Sequence, residues 1–408
     1  MIRFLRGLSV CLLPVVAGLW VGATNFGGTL LPWRPVMVDL EVYREAGRAL
    51  LRGADFYTLP GQLQFLYPPF AAVLSVPLAV LPGWLVQVGW TVAGVLAVLA
   101  VLHRFGLSGW SLSLIGSATV CLVEPVTETF AYGQLGILLV ALVFLDLAPG
   151  RRVFTRRLLP VGALTGLAAA VKLTPAIFVA YLLVTRRWRA AAAAALTGSL
   201  VTLASAVVAP RASLQFWGRL AHGDTGLGNS IIYFTNQSVT ADVVRVFGLG
   251  RRAVLTGLAV SAVVALAGVW AALLWHRLGD ARLAVNLCGV AGLLASPVSW
   301  LHHFVWVVPL ALSLVERRSD GPAAKRLPSW LLVLAWLFIG WVVVAPFRRL
   351  PNGADVELTW SWSQNLMAST TALLGAGLIV ASIVVARRRA RWGYGGPDAA
   401  SAPADQGR

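Results

Sequence analysis

Uncharged apolar runs of about twenty residues recur along nearly the whole of this chain, separated by short clusters of arginine. Such runs fit the thickness of a bilayer and leave a soluble protein no polar surface to wear. Hydrophobic residues make up 58% of the 408 and charged residues only 12%, and the mean hydropathy is +0.78. A soluble enzyme, a disordered protein and a coiled coil are excluded, leaving an all-α polytopic membrane protein. The net charge of +17 does not indicate nucleic acid, because the basic residues sit between apolar runs, where they orient membrane segments. Cys11, Cys121 and Cys288 lie inside apolar runs without metal-ligand spacing, so neither a disulfide framework nor a metal site is expected, and no cofactor is called for.

Expected crossings fall at about 8–23, 84–102, 111–128, 133–148, 188–209, 253–275, 283–296, 303–315, 329–345 and 367–386. The run 67–82 carries prolines at 68, 69, 77 and 82 and is read as a short helix that dips into the outer leaflet without crossing. Residues 159–184, flanked by arginines at both ends, read as two short legs meeting near Lys172. This gives about twelve transmembrane helices with both termini cytoplasmic. It places 21 Lys and Arg inside against 12 outside, the asymmetry that orients membrane proteins. Ten of the sixteen acids then fall outside, which is where chemistry is to be sought. The polar end of the chain, residues 391–408, is expected to be a disordered cytoplasmic tail behind a single catalytic domain spanning 1–390.

The segment Asp39 to Leu51 has apolar Tyr43, Ala46, Gly47 and Leu50 on one helical face and Arg44, Arg48 and Arg52 on the other. It reads as an amphipathic helix on the outer face, its arginines either at headgroup depth or paired with Glu41 and Glu45. Asp39, at its start, is either an N-cap or a catalytic carboxylate. Asp55 sits in turn chemistry, Gly53-Ala54-Asp55-Phe56-Tyr57, and Tyr67-Pro68-Pro69 makes a rigid entry into the membrane. Glu124, Glu128 and Gln134 gather at a second outer junction. Carboxylates at membrane depth are costly enough to imply a polar cavity or surface. Lys172, a lone lysine three residues before Pro175, is either a snorkelling side chain or a point charge offered to an anion. His302 and His303 are adjacent; on a helix they would point about 100° apart, unsuited to sharing one metal but able to donate to a phosphate or hydroxyl.

Taken together these segments resemble the bacterial polyprenol-phosphate-mannose-dependent mannosyltransferases of glycosyltransferase family 87, which have the GT-C membrane fold. The matching pieces are Asp39-Leu40-Glu41-Val42-Tyr43 with Gly53 to Tyr57, Tyr67-Pro68-Pro69-Phe70, Gly133-Gln134, Lys172-Leu173-Thr174-Pro175, Asn236-Gln237-Ser238, and Ser296 to Trp300 with His302-His303. The resemblance implies a polyprenyl-phosphate-linked sugar donor and a glycolipid acceptor of the phosphatidylinositol mannoside or lipomannan type. It also implies a bacterial plasma-membrane location with the active site on the periplasmic face. Asp39 would be the general base, and Lys172, His302 and His303 would hold the donor phosphate. Tyr43, Asp55, Tyr67, Glu124, Glu128, Gln134, Asn236, Gln237 and Trp300 are pocket candidates. Arabinose or glucose in place of mannose stays open, and so does a transporter or flippase, although no internal repeat of the kind transporters show is visible.

Overall fold

The computed structural model describes residues 2–59, 63–153, 156–224, 226, 228–319 and 326–391; the tail beyond Arg391 lies outside the described residues. Its regular structure is helical. The chain runs α1 (Ile2–Thr24), α2 (Val38–Leu51), α3 (Pro69–Leu74), α4 (Val76–Val80), α5 (Gly83–Arg104), α6 (Gly109–Leu122), α7 (Glu124–Tyr132), α8 (Gly136–Leu147) and α9 (Ala163–Val171). The second half continues with α10 (Ile177–Val184), α11 (Trp188–Val208), α12 (Pro210–Ala221), α13 (Val239–Phe247), α14 (Arg251–Arg277), α15 (Ala281–Ala295), α16 (Val307–Ser319), α17 (Ser329–Val344) and α18 (Trp362–Arg391).

Among the described residues, α5, α11, α14, α18 and α17 with its extension to Arg349 are long and apolar enough to cross a membrane alone. The expected crossing at 111–128 is broken. Helix α6 ends at Leu122, and α7 departs at 78°. Pro125 explains the break: its ring lacks an N–H and clashes with the carbonyl four residues back, so Val123 turns extended and the helix restarts in a new direction. Glu124 and Glu128 therefore sit on a separate limb that tilts across the bundle.

The legs around Lys172 are resolved by their neighbours. Gly162 and Gly166 of the first leg lie against the backbone of Ala190 and Ala194, so that a Cβ at either glycine would collide, and α9 thus runs parallel to the start of α11. Yet α10 leads straight back to Trp188, where α11 begins. The chain runs through α9, turns at Lys172 and doubles back through α10, two short legs meeting near Lys172. The base of the first leg is held by Asp146, a buried carboxylate at the end of α8. That carboxylate accepts from the backbone N–H groups of Gly162 and Thr165, from the Thr165 hydroxyl and from Arg157. The free amides of a helix N-terminus are natural partners for an anion, and charged hydrogen bonds of this kind contribute ~1.5–3 kcal/mol each when buried.

Helix α5, about 33 Å long at 1.5 Å per residue, separates two ends of different character. At one, Gln87 bonds the Pro35 carbonyl just ahead of α2. At the other, Arg104 bonds the carbonyls of Leu145 and Ala148, and Arg282 bonds that of Pro149. Arg152, Arg157 and Arg282 gather around Arg104 at this second end; the carboxylates around Asp39 occupy the first. Sequence periodicity alone gave no separate place to α12. This exposed helix follows Pro210 and packs Phe216 on Tyr57, ring centroids 6.1 Å apart, roofing the loop after α2.

Candidate active site

Helix α2 positions Asp39, but not as an N-cap. The helix is entered through Met37 in the left-handed region (φ 41°, ψ 55°), no side chain caps it, and Asp39 lies at its second residue. The carboxylate is thus not engaged in capping, while the exposed amides of the first turn still favour its ionised form. The apolar face reads as expected: Leu40, Tyr43, Ala46, Gly47 and Ala49 are buried. The arginine stripe is paired rather than free. Arg44 and Arg48 meet Glu41 at 2.8 and 2.7 Å, Arg48 also meets Glu45, and Arg44 reaches the carbonyls of Leu78 and Leu81. Two candidate carboxylates are thereby occupied, leaving Asp39 as the acid of this helix turned toward the protein.

The start of α2 approaches the α7–α8 junction at Gly133, whose φ of +69° suits glycine and where a Cβ would strike that of Leu40 at 2.6 Å. That contact delivers Gln134. Its amide donates to Asp39, while its carbonyl oxygen accepts from Tyr43 at 2.9 Å and Tyr67 at 3.3 Å. The two tyrosine hydroxyls are themselves 3.0 Å apart. One buried side chain therefore fixes two expected site residues, Tyr43 and Tyr67, around Asp39. Burial lifts the Asp39 carboxyl to about 6, against the Gln134 hydrogen bond and the Lys172 charge, which both pull it down.

Lys172, at the tip of the hairpin, has its Nζ 2.7 Å from His303 Nε2 and 5.3 Å over the Tyr67 ring. The two histidine rings meet edge to face, centroids 4.6 Å apart, and His302 turns its Nδ1 toward Glu128, 3.7 Å from Oε2. Beside Lys172 and His303 lies a small cavity of about 40 Å³ walled by Leu139, Val140, Phe178, Leu293 and Trp306. It is an apolar chamber with a cationic end.

The remaining candidates divide. Asn236 and Gln237 are fully buried and saturated. Asn236 donates to the carbonyls of Ile231 and Pro297 and accepts from Ser299 N–H, while Gln237 accepts from Thr371 and donates to Phe234. They staple the loop that carries Trp300, His302 and His303. Arg245, which the sequence did not single out, joins them from α13 by donating to the Asn236 carbonyl at 2.9 Å. Asp55 forms a local turn with the Tyr57 amide and stays exposed. Trp300 packs edge-on to Tyr233, 5.9 Å away. Glu124 and Glu128 both meet Arg348, from the loop after α17, a residue that no local pattern marked.

The sequence profile of glycosyltransferase family 87 matches residues 65–297. A Mycobacterium tuberculosis polyprenol-phosphate-mannose-dependent alpha-(1-2)-phosphatidylinositol mannoside mannosyltransferase is 31% identical, over 95% of this chain and 93% of its own length. Its Mycolicibacterium smegmatis counterpart is 30% identical over 92% and 89%. A second Mycobacterium tuberculosis protein, described as acting on phosphatidylinositol pentamannoside, is 34% identical over 78% and 74%. No solved structure matches the chain.

Proposed function

The chain belongs to glycosyltransferase family 87, and from that premise we propose that it transfers mannose from a polyprenyl phosphate to a glycolipid of the phosphatidylinositol mannoside type. The observation that carries this reading to individual residues is that Asp39, a carboxylate that caps no helix, feels the charge of Lys172, which with His303 lines a small, mostly apolar cavity. The acceptor hydroxyl oxygen attacks the mannosyl anomeric carbon as the bond from that carbon to the phosphate oxygen breaks. Asp39 takes the hydroxyl proton, an effect of about 10²- to 10⁴-fold. Polyprenyl phosphate leaves with the bonding electrons, its charge held by Lys172 and His303. One displacement inverts a β-linked donor into an α-mannoside.

In the same reading the protein is a single GT-C catalytic domain in the bacterial plasma membrane, with about twelve crossings and both termini cytoplasmic. The active site faces outward. The gathering of arginines at the opposite end of α5 supports that orientation. Incubating membranes with labelled polyprenyl-phosphate-mannose and phosphatidylinositol mannoside should label the glycolipid; an unlabelled glycolipid beside intact, folded protein would reject the activity. A water-soluble α-mannoside supplied outside sealed right-side-out vesicles should also be labelled. Labelling that requires lysis would place the site on the inner face.

The acid limb of the pH profile follows from the buried base. Asp39 works deprotonated and its carboxyl sits at about 6, so turnover should fall about tenfold per unit as the pH drops below that value. Gln134→Leu removes a hydrogen bond that holds this value down. The acid limb of kcat/KM should therefore move to higher pH. An unmoved limb would detach it from Asp39.

A further inference from the structure

Helix α7 presents Glu124 and Glu128 one turn apart, and like charges so placed repel. Their counter-ion comes from the far half of the chain. After α17, Ala345 takes the left-handed conformation (φ 46°) and turns the backbone into a short 3-10 segment, Pro346–Arg349. This swings Arg348 back across the bundle, where it pairs with Glu124 and stands 3.4 Å from Glu128. Glu128 is almost wholly enclosed, its side chain 4% exposed, whereas Glu124 and Arg348 remain 31% and 34% exposed. Beneath them His302, 94% buried, presents Nδ1 to Glu128 while its Nε2 has no hydrogen-bond partner. The Tyr132 ring meets His302 edge-on at 5.4 Å.

The guanidinium of this cluster is already paired with Glu124 and stands beside Glu128, so it is not free for a phosphate, which the Lys172–His303 end is placed to meet. A neutral polyol suits the cluster itself. Hydroxyl hydrogens can go to carboxylate oxygens and hydroxyl oxygens to the guanidinium, in a rim that is open to solvent on one side and aromatic on the other.

We propose that Glu124, Glu128 and Arg348 form the subsite for the uncharged terminal hexose of the acceptor, with Arg348 a binding residue delivered by the α17–α18 loop. The assignment rests on the sugar transfer proposed above. It puts part of acceptor choice in a segment beyond residues 65–297, the stretch that the family profile matches.

The test is steady-state kinetics of full-length Arg348→Ala, Arg348→Lys and Glu124→Gln in membranes. Each substrate is varied in turn, polyprenyl-phosphate-mannose as donor and phosphatidylinositol mannoside as acceptor. KM for the acceptor should rise about 10- to 100-fold in Arg348→Ala, the effect of losing one or two charged hydrogen bonds, and less in Arg348→Lys. KM for the donor should stay within about twofold. A rise in donor KM with acceptor KM unmoved would overturn the proposal and make Arg348 a phosphate ligand, and so would two unmoved constants. If Arg348→Ala fails to fold, judged by its melting curve beside the parent's, Glu124→Gln decides by the same criterion. Absence of transfer in the parent protein would instead remove the function itself, so the two failures are distinguishable.

Discussion

Asp39→Asn lowers mannosyl transfer about 10²- to 10⁴-fold while leaving expression, membrane insertion and thermal stability close to those of the parent. The amide is nearly isosteric, still accepts through its oxygen and cannot take a proton, so the substitution isolates base catalysis from packing. Stability is expected to survive because Asp39 does not cap α2. Removing a carboxylate that burial holds near 6 also relieves a desolvation cost. Label transfer from polyprenyl-phosphate-mannose, read beside a melting curve, separates the two effects. Undiminished turnover in a folded protein would take Asp39 out of the mechanism.

Lys172→Met should be almost as damaging, lowering kcat/KM for the donor about 10²- to 10³-fold, the loss typical of one preorganised charge at a developing anion. Methionine keeps the length and apolar stem of lysine, so the walls of the chamber at Val140 and Phe178 stay packed. Lys172→Arg should recover only part of the activity, because the space for a guanidinium is bounded by His303 at 2.7 Å and by the Tyr67 ring. Donor kinetics equal to those of the parent would reduce Lys172 to a snorkelling residue and leave the phosphate without its proposed cation.

Much of this architecture was legible in the sequence because a bilayer is an exacting solvent. The arginines flanking 159–184 and the apolar legs between them forecast a hairpin, and the hairpin is there. The apolar face of α2 was readable from periodicity, and Asp39 stood out as an acid at the head of that helix. Short-range rules served less well where two cues competed: Pro125 breaks a run that hydropathy reads as one crossing, and Met37 takes the cap position that composition assigns to Asp39. Asn236 and Gln237 were visible as a polar pair, but only packing reveals that every arm of theirs is already bonded. Contacts between distant segments were beyond reach. Nothing near Arg348 tells that its partners are Glu124 and Glu128. Asp146 did leave a signal, a lone acid at the end of an apolar run, the kind of residue whose partner is worth seeking.

The hairpin that carries Lys172 also works as a depth gauge. Both legs start from the same end of the bundle, so the height of the ammonium follows the nine residues of α9 and is met at the tip by His303 and the Tyr67 ring. One added residue would lift it about 1.5 Å and swing it about 100° away from the chamber; a whole added turn would restore its bearing but raise it by about 5.4 Å. Chains built on this plan can retune how deep a carrier's head must sit only in steps of a helical turn. Gradual drift in leg length would blind the site before it could adapt.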